Sequence, residues 1–116
     1  MEELQIFNCD SPGFTSLVGN AEWSVGIVNY SDQLNPSCLK KRERHLLTDE
    51  LFILIQGEAH LYIGVEMCKY PLEIGKAYLV KKGIWHAISI SIDAKIFVVE
   101  NAGTGMDNTE YYYFSE

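Results

Sequence analysis

Basic residues, cysteines and long hydrophobic runs are all scarce in this sequence, and each shortage removes a class of function. Nine Lys and Arg stand against 16 Asp and Glu, a formal net charge of -7. Attraction to a phosphate backbone needs clustered cations, so this balance argues against nucleic acid as a partner. The three cysteines, Cys9, Cys38 and Cys68, are odd in number, far apart and in no CxxC pair, which argues against a disulfide framework and against a structural zinc site. No apolar run approaches the roughly 18 residues that a membrane helix needs. The opening Met1-Glu-Glu-Leu-Gln is acidic where a secretory signal is basic. We therefore expect a cytoplasmic protein with no membrane partner. Helix signals are also missing, because no window longer than about ten residues holds a capped apolar stripe of helical period.

What the sequence does hold is a rhythm of short apolar runs separated by turns. Its 116 residues, 47% of them apolar, match one ordinary domain, which needs neither metal nor disulfide merely to fold. Nine glycines and three prolines fall singly between the runs, as turns between strands do. Candidate strands are 4–7, 14–18, 23–30, 42–47, 51–56, 59–63, 69–73, 77–80, 86–92 and 95–100, with a last one over 111–114. The expectation is an all-β sandwich, barrel or jelly roll over 1–116. The polar stretch from Ser31 to Cys38 is a candidate lid over a barrel mouth.

Period-two alternation fixes faces. In His86-Ala-Ile-Ser-Ile-Ser-Ile92, His86 shares a face with Ile88, Ile90 and Ile92, so the histidine begins an apolar inner face. Leu51-Phe-Ile-Leu-Ile55 is apolar on both faces, which predicts cover on both sides and points to a homodimer. Glu43 and His45 share one face of their strand, Arg42 and Arg44 the other, and a turn through Thr48 and Asp49 would return Glu50 beside them. With Glu50 inward, Phe52 and Leu54 also point inward. Two histidines and two carboxylates could then meet inside the barrel. Such nitrogen and oxygen donors suit Fe, Mn, Ni or Zn as divalent ions. The imidazoles must be neutral to bind, so affinity should fall below about pH 6.

These residues resemble the cupins, whose first motif is written G-x5-H-x-H-x(3,4)-E-x6-G and whose second is G-x5-P-x-G-x2-H-x3-N. His45, Glu50 and Gly57 fit the first, over about 43–57, and Gly75, Gly83 and His86 the second, over about 75–90. The resemblance implies a cupin-type double-stranded antiparallel β-barrel of jelly-roll type. Glu43 replaces the first histidine of the pair, Lys81 the proline and Ile90 the asparagine. A narrower likeness is to ureidoglycolate lyase, through Glu43-Arg-His45, Gly83-Ile-Trp-His86 and Val98-Val-Glu100. The expected site is a small-molecule cavity with His45, Glu50 and His86 as metal ligands, Glu43 as fourth ligand, catalytic base or hydrogen-bonding group, and apolar walls from Phe52, Leu54, Ile88 and Ile90. Its ligand would be a small oxygen-bearing molecule undergoing lyase, isomerase or oxygenase chemistry. The alternatives are a metal-free binding or sensor protein and a ureidoglycolate-lyase-like enzyme.

Other candidates read as structural. The basic run Lys40 to Arg44 is expected to be a solvated strand edge with no binding role. His60 is expected outside the site, and Tyr111 to Tyr113 are expected to dock the C-terminus. Glu100 shares a face with Ile96 and Val98, which could bring a carboxylate near the cavity.

Overall fold

Alternating apolar residues produce strands with one buried face, and two sets of such strands pack against each other here. The computed structural model describes residues 3–114. Its ten strands are β1 (Gly13–Gly19), β2 (Trp23–Asn29), β3 (Lys41–His45), β4 (Glu50–Gln56), β5 (Ala59–Ile63), β6 (Cys68–Pro71), β7 (Ala77–Val80), β8 (His86–Ile90), β9 (Lys95–Asn101) and β10 (Thr109–Tyr113). One sheet runs β1-β2-β9-β4-β7 and the other β10-β3-β8-β5-β6, with antiparallel neighbours throughout. The all-β expectation holds, in a jelly-roll-like form. The sheets face each other without joining into a closed hydrogen-bonded barrel.

The core lies between the sheets. Phe52, Leu54, Ile96 and Val98 come from one, and Ala59, Leu61 and Ile90 from the other. Burying each large side chain of this kind contributes roughly 1.5 to 3 kcal/mol. The strand β4 alternates as its sequence requires, with Glu50, Phe52 and Leu54 buried and Leu51 and Ile53 only half-buried. The outward residues of β4 meet Leu79 and Phe97 on neighbouring strands, which are 54% and 37% exposed. No described residue of this chain therefore seals the outer face of that sheet. Gly57 ends β4 with φ +79°, and a Cβ there would come within 2.6 Å of the Ala94 backbone, so both conformation and space require glycine.

Several boundaries differ from the sequence reading. Residues 4–7 form no strand, and Leu4 and Ile6 are 72% and 85% exposed, because no described strand pairs with them. The strand β3 is interior, between β10 and β8, rather than an edge. Its outward Arg42 and Arg44 stack on the Trp85 ring at 5.0 and 4.6 Å, and Arg42 lies 4.5 Å from the Tyr112 ring. The run Ser31 to Cys38 forms two single 3₁₀ turns, Asp32–Leu34 and Pro36–Cys38. The described residues contain no helix long and apolar enough to cross a membrane.

Candidate metal centre

Strand ends and turns bring the site together. Glu43 and His45 lie on β3, and His86 begins β8, where Glu43 and His86 are register partners. Glu50 begins β4, directly opposite Glu100 on β9. Two histidines from one sheet thus meet two carboxylates from the other. The turns between these strands are tied together: the Asp49 carboxylate accepts from the Lys82 backbone N–H at 2.8 Å, and the Gly83 N–H donates to the His45 carbonyl at 2.7 Å. The Lys82 N–H bond is the main reason that the Asp49 carboxyl titrates below its ordinary value.

Ligand atoms of Glu43, His45, Glu50 and His86 all lie within 4.8 Å of one another, the last three from buried residues. The Glu50 Oε1 atom is 2.9 Å from His86 Nε2 and 3.1 Å from His45 Nε2. Glu43 Oε1 is 4.0 Å from His86 Nε2. Glu100 adds a fifth group, with its Oε2 3.9 Å from His45 Nε2.

The outer hydrogen bonds decide the tautomers. His86 Nδ1 faces the Ile84 carbonyl at 3.0 Å, and a carbonyl only accepts, so Nδ1 carries the proton. The Thr109 hydroxyl donates to the Gly105 carbonyl at 2.7 Å, which leaves it to accept from His45 Nδ1 at 2.9 Å. In the neutral imidazoles both Nε2 atoms are therefore lone pairs, and both point at a carboxylate oxygen. Three lone pairs converging on one buried point repel unless a cation or a proton lies between them. This donor set, with each Nδ1–H fixed by an outer acceptor, fits a divalent ion.

Protons can fill the same role. The hydrogen bond to Glu50 raises the His45 imidazole above its ordinary value. Burial pushes Glu50 up, but its bonds with His45, His86 and Glu100 outweigh this and hold it at about 2. Burial first, and then the adjoining Glu50, push Glu100 up to about 8. One carboxylate is thus ionised and its neighbour protonated at neutral pH.

A cavity of about 520 Å³ opens beside the cluster, bordered by Glu43, His86, Ile88, Tyr111 and Tyr113 from the adjacent strands β3, β8 and β10 of one sheet. Asp32, Gln33 and Leu34, from the stretch expected as a lid, border it. Of the four apolar residues expected to line it, only Ile88 does. Phe52 instead packs edge-on to the His86 ring at 6.1 Å, and Leu54 and Ile90, at 2% and 1% exposure, are consumed by the core beneath. Tyr111 and Tyr113, expected to dock the C-terminus, do pair β10 with β3, and both also border the cavity. Period-two spacing puts Tyr111 and Tyr113 on one face of their strand, but nothing local in the sequence sets that face beside Glu43. His60 lies outside the cluster.

Two facing antiparallel sheets with a His/Glu cluster between their strand ends define a cupin fold. Solved structures bear this out. The chain is similar to Streptomyces PAC13 carrying uridine, at 9% identity over 100% of this chain and 95% of that one, with a TM-score of 0.71; Pac13 is described as a nucleoside dehydratase. It is also similar to a cupin-2 domain protein of Shewanella frigidimarina, at 19% identity over 77% and 79% of the two chains, with a TM-score of 0.60. A third similar structure is Fe(II) HppE, at 20% identity over 76% of this chain and 48% of that one, with a TM-score of 0.57. At these identities the likeness carries the fold. No protein-family model and no curated protein matches the sequence.

Proposed function

We propose that this protein is a metal-dependent cupin enzyme acting on a small oxygen-bearing molecule, with His45, Glu50 and His86 holding a divalent ion and Glu43 completing the set. The observation that carries this reading is the pair of Nε2 lone pairs aimed at the Glu50 carboxylate. The Fe(II)-bound state of HppE, on a similar fold, supports an ion of the Fe, Mn, Ni or Zn class. When bound, such an ion polarises a carbonyl or carboxylate oxygen.

The protein's own groups divide the remaining work. Glu43 is the one member of the cluster that borders the cavity with its carboxylate only partly buried, a side-chain exposure of 34%. It is placed to take a proton from a ligand carbon or hydroxyl and return it, the requirement of lyase and isomerase chemistry. Tyr111, opposite Glu43 in the strand register, keeps its phenol proton, because burial and then the Glu43 charge push its titration up. It can therefore donate a hydrogen bond to a ligand oxygen. Glu43→Gln should keep the fold and most of the metal while abolishing turnover. Turnover surviving at wild-type rate would remove Glu43 from the chemistry.

A metal-free acid-base or binding site is the second reading. It is favoured by the raised His45 and Glu100, which let protons satisfy the cluster unaided. Thermal-shift titration separates the two, because an ion bound only by the folded state raises the melting temperature by mass action.

A further inference from the structure

The cavity lining carries charges of both signs. Its acidic residues are Asp32 and Glu43, the latter a member of the His/Glu cluster. Its basic residues are Lys40, Lys41 and Arg42. The Arg42 guanidinium is taken up on the far side of β3 by the Trp85 and Tyr112 rings and by the Val65 carbonyl at 2.8 Å. Lys41 differs. It shares the Glu43 and His45 face of β3, and its ammonium stands over the Tyr111 ring at 4.6 Å and the Tyr113 ring at 5.7 Å. Among the described residues, the ion pairs made by Lys and Arg side chains engage Lys76, Lys81, Lys95 and Arg44, and not Lys41.

We infer that Lys41 is the recognition group for a carboxylate on the ligand, so that the substrate is a small organic acid lying along the Tyr111 and Tyr113 wall. Its carboxylate meets Lys41, and a carbonyl or hydroxyl farther along it faces Glu43 and His86. The inference names the substrate class of the proposed site and rests on that reading. The basic run of this sequence thereby gains a binding member.

Three physical points support it. The protein carries a net charge of -7, so its overall field repels an acid and a local cation must supply the selectivity. A single ammonium on a tyrosine wall is a point charge without a guanidinium fork or a nest of backbone N–H groups, which matches one carboxylate better than a phosphate. The volume, about 520 Å³, lies in the range of small-molecule sites, about 300 to 1,000 Å³.

The test uses benzoate and its uncharged isostere benzamide, titrated into metal-free full-length protein and followed through the Tyr111 and Tyr113 ring resonances. Benzoate should bind at least about tenfold more tightly than benzamide. Lys41→Gln should erase that difference and Lys41→Arg should retain most of it, with melting temperatures unchanged. Equal binding of the two probes, a preference that survives in Lys41→Gln, or tighter binding of inorganic phosphate than of benzoate would each overturn the assignment. Uptake of added Zn(II) by the same protein, measured in a separate titration, keeps the two readings apart. Lys41-dependent selectivity in a protein that takes up no metal removes the metal alone, whereas stoichiometric metal without that selectivity removes the organic acid alone.

Discussion

The Gly83 backbone N–H donates to the His45 carbonyl at 2.7 Å. This bond joins the turn before β8 to the end of β3 and so sets the distance between the two imidazoles, whose ring centroids are 5.4 Å apart. Gly83 holds φ +81°, with nothing within 4 Å of where a Cβ would stand. Gly83→Ala is therefore strained by conformation and not by crowding. We expect a loss of about 1 to 2 kcal/mol in stability, read by urea denaturation, together with weaker metal binding. An unchanged metal affinity would mean that the bond does not position His45.

Thr109 acts on the centre through His45. Its hydroxyl donates to Gly105 and accepts from His45 Nδ1–H, fixing which ring nitrogen is offered inward. Thr109→Val keeps the shape and removes the acceptor, and should weaken metal binding by about 10- to 100-fold. Thr109→Ser should restore most of it. Competition against a chromophoric chelator measures both, and equal affinities for wild type and Thr109→Val would contradict the role.

The buried carboxylates predict an asymmetric pH profile for the metal-free protein. Glu50 titrates at about 2 in the folded chain against an ordinary 4.5, so the unfolded chain binds more protons in that interval and stability is lost as pH falls through it. Glu100 titrates at about 8 against the same 4.5, so the folded chain binds the extra proton there and stability is lost as pH rises toward 8. His45, raised above 6.5, contributes stability that is present below that value and is lost as pH rises through its folded-state value. Stability should therefore peak at about pH 5. Glu100→Gln should flatten the alkaline decline, whereas a maximum above pH 8 in the wild type would contradict the assignment.

The uncovered face beside β4 predicts self-association. Leu51, Ile53, Leu79 and Phe97 form an apolar patch across β7, β4 and β9, and exposed patches of this kind mark interfaces. We propose a homodimer through it. Sedimentation should give twice the 13.2 kDa chain mass, falling to the chain mass in Phe97→Lys. A monomeric wild type would oppose the proposal.

Much of this was legible in the sequence because it rests on period-two alternation and on turns. Glu43 and His45 on one face, and His86 leading Ile88 and Ile90 inward, required only strand geometry. What stayed open depends on which strands become neighbours. Glu100 gains its place because β9 pairs with β4 opposite Glu50, and Tyr111 because β10 pairs with β3 opposite Glu43. Pairing over such separations leaves no local mark. Leu54 and Ile90 show the converse limit, because alternation turns a side chain inward but does not say whether it meets a cavity or another side chain.

We propose above that His45, Glu50 and His86 hold a divalent ion. Elemental analysis of untagged protein purified without chelator, alongside His86→Ala, tests it most directly. Close to one equivalent of Fe, Mn, Ni or Zn is expected in the wild type and little in the variant. A wild type that is metal-free and refuses added metal would contradict it.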